Sequence, residues 1–236
     1  LDVLERYNVH GPRYTSYPRA TRFHEGVGSA EYRTALEAPR SGEPVSIYIH
    51  IPFCERRCGY CGCHVVPTLK RSIAGEYLAR LCREMELVRG ILSDPVRTTS
   101  VHLGGGTPTF LSAASLGRLV DGLLERLPVR GDVFEGAVEA DPRVTNVMHL
   151  EALARRGFQR LSLGVQDVDP EVQRLVNRVQ PISLTTDLCR SARALLYTSI
   201  GLPIARFAER SNRVNLISVS ILIWSGCTAL CGIAQT

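Results

Sequence analysis

No apolar signal-peptide core opens this chain, which argues against export. Strong charge of either sign is also missing. A formal balance of +5 over 236 residues is too mild to single out nucleic acid as a partner, although it suits small anionic ligands. Charged residues make up 22% and hydrophobic ones 44%, so the composition excludes disorder and is enough for one good core. The even scatter of cysteines that a disulfide scaffold needs is absent, because four of the eight crowd into Cys54–Cys63. That crowding reads as a metal site in a reducing compartment, hence a cytoplasmic protein. An initial methionine is lacking too, and Leu1 is expected to lie inside a longer protein. Finally, residues 214–236 carry no charge at all. The stretch is long enough to span a bilayer, but Asn215, Ser218, Ser220, Ser225, Gly226, Thr228 and Gly232 dilute it. It is read as a non-native or frame-shifted end, with a membrane helix as the alternative.

What is present is an alternation of strand and helix patterns. The expected strands are 45–51, 99–103, 134–139, 160–165 and 197–200. Between them, residues 73–89 place Tyr77, Leu78, Leu81, Cys82, Met85 and Val88 on one helical stripe, and 113–126 repeat the pattern with Leu116, Leu119, Val120, Leu123 and Leu124. Asp169-Pro170 is a helix start, a cap followed by proline at the first helical position. Leu184, Leu188, Ala192 and Leu195 mark a further helix. Strands alternating with helices predict an α/β fold with a parallel sheet, in the form of a full or partial (βα) barrel. The expected divisions are an N-terminal segment 1–44, the barrel 45–200 and the anomalous apolar tail 201–236.

In such barrels chemistry sits on the loops after the C-terminal ends of the strands. Cys54, Cys58 and Cys61 stand there as Cys-x₃-Cys-x₂-Cys, directly after Val45-Ser-Ile-Tyr-Ile-His-Ile51. Three thiolates on a four-iron cluster leave one iron open for chemistry. A zinc site with Cys63 as fourth ligand is the competing reading, but one tight loop favours a cluster over the widely spaced pairs of zinc loops. Tyr48 and His50 face away from Ile47, Ile49 and Ile51, towards any ligand beside the loop. Gly104-Gly-Gly-Thr-Pro-Thr109 follows the next strand, where glycines allow close backbone approach and expose N–H and C=O groups. Glu139 ends the third strand with a carboxylate that can pair with an ammonium group; Gln166 ends the fourth. Arg178, on the next helix, offers a fork for a carboxylate.

Together these motifs resemble the radical S-adenosylmethionine enzymes. Within them they are similar to the oxygen-independent coproporphyrinogen III dehydrogenases of haem biosynthesis. The resemblance is carried by Tyr14-Thr-Ser-Tyr-Pro18, by Tyr48-Ile-His-Ile-Pro-Phe-Cys54, and by Cys58-Gly-Tyr-Cys-Gly-Cys63. It continues in Glu139-Ala-Asp-Pro-Arg143, Gly157-Phe-Gln-Arg-Leu-Ser-Leu-Gly-Val-Gln-Asp167 and Glu171-Val-Gln-Arg-Leu-Val-Asn-Arg178. The related haem chaperones share the three cluster cysteines and the triple glycine, and usually lack the counterparts of Cys63 and of the Tyr14–Pro18 segment.

The resemblance implies a partial barrel of the radical S-adenosylmethionine type. Cys54, Cys58 and Cys61 would hold a [4Fe–4S] cluster. A first S-adenosylmethionine would touch Tyr48, Gly105 and Glu139; a second would lie near Tyr60, Gly106, Thr107, Gln166 and Arg178. Cys63, as a catalytic residue, and the Tyr14–Pro18 segment would support substrate or radical handling. The implied reaction is oxidative decarboxylation of two propionates of a porphyrinogen substrate to vinyl groups, giving protoporphyrinogen IX. An electron donor is required, and a monomer without nucleic-acid or membrane partners is expected. The pattern breaks near Gly201-Leu-Pro203, where about half a dozen residues are missing, among them an aspartate expected at the second S-adenosylmethionine. The barrel is therefore expected to be incomplete at its C-terminal end. A haem-binding protein of the chaperone branch and an inactive truncated member stand as alternatives.

Overall fold

The structure is a computed structural model that describes residues 24, 26–38, 44–92, 96–129 and 134–196. The Tyr14–Pro18 segment, the strand expected at 197–200, Gly201 and the apolar tail all lie outside the described residues.

Four strands form one parallel sheet: β1 (Pro44–Ile51), β4 (Arg97–Gly105), β5 (Glu135–Ala140) and β6 (Phe158–Leu163), side by side in that order. The first helix, α1 (Ser29–Glu37), precedes them. Each connection carries a helix: α2 (Ile73–Ile91) between β1 and β4, α3 (Ala113–Arg126) between β4 and β5, and α4 (Val147–Ala154) between β5 and β6. Two more follow, α5 (Pro170–Leu175) and α6 (Ile182–Leu196). Between β1 and α2 the short strands β2 (Phe53–Cys54) and β3 (Val66–Pro67) pair in parallel and close the base of the cysteine loop. Chain neighbours are thus spatial neighbours in the main sheet, as in a barrel wall.

The alternation along the strands explains why the helices lie on one side. Ile49, Ile51, Val101, Leu103 and Val138 are buried against Met85 of α2 and against Leu116, Leu119, Val120 and Leu123 of α3. A fully buried leucine such as Leu116 contributes about 1.5–3 kcal/mol. The opposite face carries Tyr48, His50, His102 and Glu139, all partly or largely exposed. This polar face is what a barrel turns inward.

Helix ends follow local chemistry. The Ser112 hydroxyl accepts the Ser115 N–H at the start of α3, and the Asn146 side chain accepts the His149 N–H at the start of α4. Asp169 accepts the N–H groups of Glu171 and Val172 ahead of α5, as its Asp-Pro pair predicts. Leu188, Ala192 and Leu196 of α6 pack on Leu150 of α4 and on Leu161 and Leu163 of β6. Among the described residues no helix is long and apolar enough to cross a membrane.

Two expectations about local structure are corrected. β6 spans Phe158–Leu163, not 160–165. The chain leaves the sheet at Gly164, where Val165 N–H turns back to Leu163 O at 3.0 Å. Gln166 therefore lies three residues past the strand, in the loop. Arg178 is not on a helix either: α5 ends at Leu175, Asn177 adopts φ 54°, and Arg178 N–H closes the turn on Gln173 O at 2.7 Å. Asparagine tolerates that left-handed backbone and so stops the helix.

Candidate functional site

The C-terminal ends of β1, β4, β5 and β6 open onto one cleft of about 370 Å³. Cys54, Cys58, Cys61 and Cys63 line it, as do Tyr60, Gly105, Gly106, Thr107, Glu139, Gln166 and Arg178. Tyr48 is set apart. It stands lower on the polar sheet face and borders a second cavity of about 390 Å³ with Ser46, His50 and Tyr77.

The cysteine loop is fixed at its base. Val66 N–H donates to Pro52 O at 2.7 Å and Thr68 N–H to Cys54 O at 2.8 Å. Phe53 anchors it below, packing edge-on against Tyr77 and tilted against Phe110, both at 5.3 Å. Arg71 clamps it from outside, pairing with Glu55 and the Phe110 carbonyl while lying 4.1 Å over the Phe110 ring. Along the loop Cys54 and Cys61 are half-buried, Cys58 is buried and Cys63 is exposed. The Cys54 Sγ lies 3.4 Å from the buried Thr107 hydroxyl. Burial pushes the Cys54 and Cys63 thiols above their ordinary value.

The triple glycine is dictated by crowding. Gly105 has φ +118°, and a Cβ there would lie 2.8 Å from Ile51 O. A Cβ on Gly106 would lie 2.7 Å from Pro52 O. β4 thus runs hard against the entry to the cysteine loop, a path only glycine can take. Two of the N–H groups expected to face a ligand are engaged within the protein: Gly106 N–H with Ile51 O at 2.9 Å, and Gly105 N–H with the Glu139 carboxylate at 3.4 Å.

Glu139 is oriented by a residue the motif reading missed. Its carboxylate lies 3.2 Å from His102 Nε2, and the His102 ring stacks on Tyr48 at 5.7 Å. The Tyr48 hydroxyl in turn lies 3.1 Å from His50 Nδ1, and His50 Nε2 lies 2.9 Å from His64 O. Facing away from Val101 and Leu103 on β4 was the available signal for His102.

A second missed group sits on the far wall. The Asp141 carboxylate receives Arg143 Nη2 at 2.6 Å and lies 3.3 Å from Arg178 Nη1. Burial would raise the Asp141 carboxyl, but the hydrogen bonds from Arg143, with the charge of Arg178, hold it below its ordinary value. The same pair holds Arg143 strongly protonated. Arg178 Nη1 also reaches Cys58 Sγ at 3.5 Å, and Nη2 donates to Gly164 O at 2.7 Å. Its Nε is buried with no partner.

Comparison with known proteins decides the family. Residues 48–206 match the model of the radical SAM superfamily, more than half of the chain. The chain belongs to the radical SAM superfamily. This radical SAM chain is 45% identical over 203 residues to the oxygen-independent coproporphyrinogen III oxidase of Pseudomonas aeruginosa, covering 85% of the chain and 44% of that relative. It is 41% identical to the enzyme of the same name from Escherichia coli, covering 86% and 44%. The solved structure of coproporphyrinogen III oxidase from Escherichia coli, described as a radical SAM enzyme, superposes with a TM-score of 0.73 at 38% identity, over 84% of this chain and 44% of that one. The chain thus spans less than half the length of these relatives, and its parallel α/β sheet is part of the radical SAM fold.

That family implies a [4Fe–4S] cluster and S-adenosylmethionine, and the residues present fit them. Cys54, Cys58 and Cys61 line one cleft with Cys63, Arg178 lines it too and has a buried Nε without a partner, and glycines leave a floor that any Cβ would fill. Among the described residues no three His, Cys, Asp or Glu side chains are placed to hold a single metal ion.

Proposed function

We propose that this chain carries the cluster and cofactor site of an oxygen-independent coproporphyrinogen III dehydrogenase, an oxidoreductase of haem biosynthesis. The reaction converts two propionates of coproporphyrinogen III to vinyl groups and yields protoporphyrinogen IX. The observation that carries this reading is the joining of the three loop cysteines, the glycine strand end, Glu139 and Arg178 around one cleft. The similarity to relatives bearing that name extends over 85% of the chain and supports it.

Cys54, Cys58 and Cys61 would hold the cluster. When bound, cluster and S-adenosylmethionine together supply one-electron reductive cleavage of a sulfonium and a carbon radical able to abstract hydrogen. Glu139, oriented by His102 and Gly105 N–H, presents a carboxylate for the cofactor's ammonium. Tyr48 backs His102 and shields that pair from below. Gly105 and Gly106 let the cofactor approach the sheet edge. On the other wall Tyr60, Gly106, Thr107, Gln166 and Arg178 would seat a second S-adenosylmethionine. Cys63, exposed at the rim, is free to meet the substrate. The protein is assigned to the cytoplasm as a monomer served by a separate electron donor.

The test is anaerobic reconstitution with iron and sulfide, reduction, and electron paramagnetic resonance with and without S-adenosylmethionine. A [4Fe–4S]⁺ signal that changes on adding the cofactor is expected. A signal indifferent to it, or no cluster, would overturn the reading. Turnover of coproporphyrinogen III then separates the dehydrogenase from a haem-binding relative.

A further inference from the structure

We infer that Val176–Arg178 is a clasp on the second cluster cysteine, and that Arg178 and Arg143, sharing Asp141, hold positive charge against Cys58 and set the reduction potential of the cluster bound there. The inference rests on the proposed function. Three consecutive residues grip three consecutive residues. Val176 O accepts Gly59 N–H at 2.9 Å, Asn177 Nδ2 donates to Arg57 O at 2.9 Å, and Arg178 Nη1 lies 3.5 Å from Cys58 Sγ. The left-handed turn at Asn177 brings the three into line. Cys58 is also the buried member of the three loop cysteines.

The charges then decide what the clasp does. Arg178 touches Cys58, and Arg143 stands behind it on the Asp141 carboxylate that the two share. Two cations and one anion leave a net positive charge in a buried pocket, where screening is weak. The fork of Arg178 is committed to Asp141, Cys58 and Gly164 O, and its Nε is buried without a partner. Iron–sulfur potentials respond to net charge, to hydrogen bonds on sulfur and to solvent exposure. Reduction adds an electron to a site that is already anionic, so adjacent positive charge favours the reduced form and raises the potential. Arg178 and Arg143 are therefore positioning residues that make the cluster easier to reduce.

The experiment is a redox titration of the reconstituted chain, without S-adenosylmethionine, followed by electron paramagnetic resonance. Iron content and circular dichroism check each variant. Arg178→Gln and Arg143→Gln should each lower the midpoint, by about a tenfold change in the reduction equilibrium, or about 59 mV for one electron. Arg178→Lys, which keeps the charge, should shift it less. Asp141→Asn removes the anion and should shift it upward. Unchanged midpoints in both glutamine variants would overturn the inference, as would an Asp141→Asn shift in the same direction as theirs, since a merely structural role gives losses of one sign. If Arg178→Gln takes up no cluster, Arg143→Gln decides alone, because it leaves the three clasp bonds in place. Failure of the parent chain to take up a cluster would overturn the proposed function, and this inference with it.

Discussion

Replacing Gly105 by alanine tests the claim that the glycine strand end is shaped by backbone crowding. Two costs are separable. A non-glycine residue held at φ +118° costs about 1–3 kcal/mol. A Cβ placed 2.8 Å from Ile51 O and 2.9 Å from Ile51 N meets main chain that cannot swing away, which adds about 1–3 kcal/mol of overpacking. The sum, about 2–6 kcal/mol, is a large share of the ~5–15 kcal/mol that holds a domain together. With a urea slope of about 2 kcal/mol/M, the midpoint should fall by about 1–3 M. Gly106→Ala meets Pro52 O at 2.7 Å but has no positive φ, so only the steric part applies and the fall should be smaller. Gly62→Ala is the control: no atom lies within 4 Å of its Cβ, so its midpoint should stay within about 0.3 M of the parent's. Urea unfolding followed by far-ultraviolet circular dichroism gives all three. A Gly105→Ala midpoint indistinguishable from the parent's, or a Gly62→Ala loss as large, would refute the reasoning.

Alanine at Cys54, Cys58 or Cys61 should abolish cluster uptake, whereas Cys63→Ala should keep iron and sulfide at parental levels; iron and sulfide analysis after reconstitution checks both. His149 is buried, with Nε2 2.8 Å from Leu111 O, and burial holds its imidazole below the ordinary 6.5. The unfolded chain then binds the proton more readily, so this contribution is intact above about pH 6.5 and is lost as pH falls below it. Unfolding free energies measured down to about pH 5 should decline, and His149→Gln should flatten the slope. Leu188→Ala opens a hole where α6 meets Leu150, Leu161 and Leu163; it should cost about 2–5 kcal/mol and make α6 the first site of limited proteolysis.

Where the fold was legible, one face of each element repeated at the period of its backbone. Ile47, Ile49 and Ile51 alternate on β1, and the Leu116–Val120–Leu123 stripe recurs on α3, so strands and helices could be placed within a residue or two. Helix α1 escaped because Leu36 is its sole buried residue, which leaves no stripe to read. Helix α4 was expected between its two strands but without bounds, although Asn146 ahead of an apolar run was a usable start signal. β6 was placed two residues late because Leu161-Ser-Leu-Gly-Val165 keeps its alternation past the point where the chain leaves the sheet at Gly164. Apolar period says which side faces a core, not where hydrogen bonding stops.

The site was legible in its motifs and illegible in its joints. Loops after parallel strands converge once strand order follows chain order, so motifs read in sequence could be assigned to one cleft. What held them together could not be read, because the decisive contacts run between distant segments. Asn177 and Arg178 touch Arg57 and Cys58 across 120 residues. They come from beyond β6, while the cysteines follow β1, and β1 and β6 are three strand spacings apart in the sheet. At about 4.8 Å per spacing a flat sheet would separate the two loops by about 14 Å. The loops themselves make the 2.9 Å contact: Arg57 lies six residues past β1 and Asn177 fourteen past β6, enough chain to cross that distance. Closure of the cleft at Cys58 is therefore a property of the two loops, and the Val176–Arg178 clasp secures it. A variant that breaks the clasp would open Cys58 to solvent before it exposed Cys54, whose neighbour Thr107 comes from the adjacent strand end.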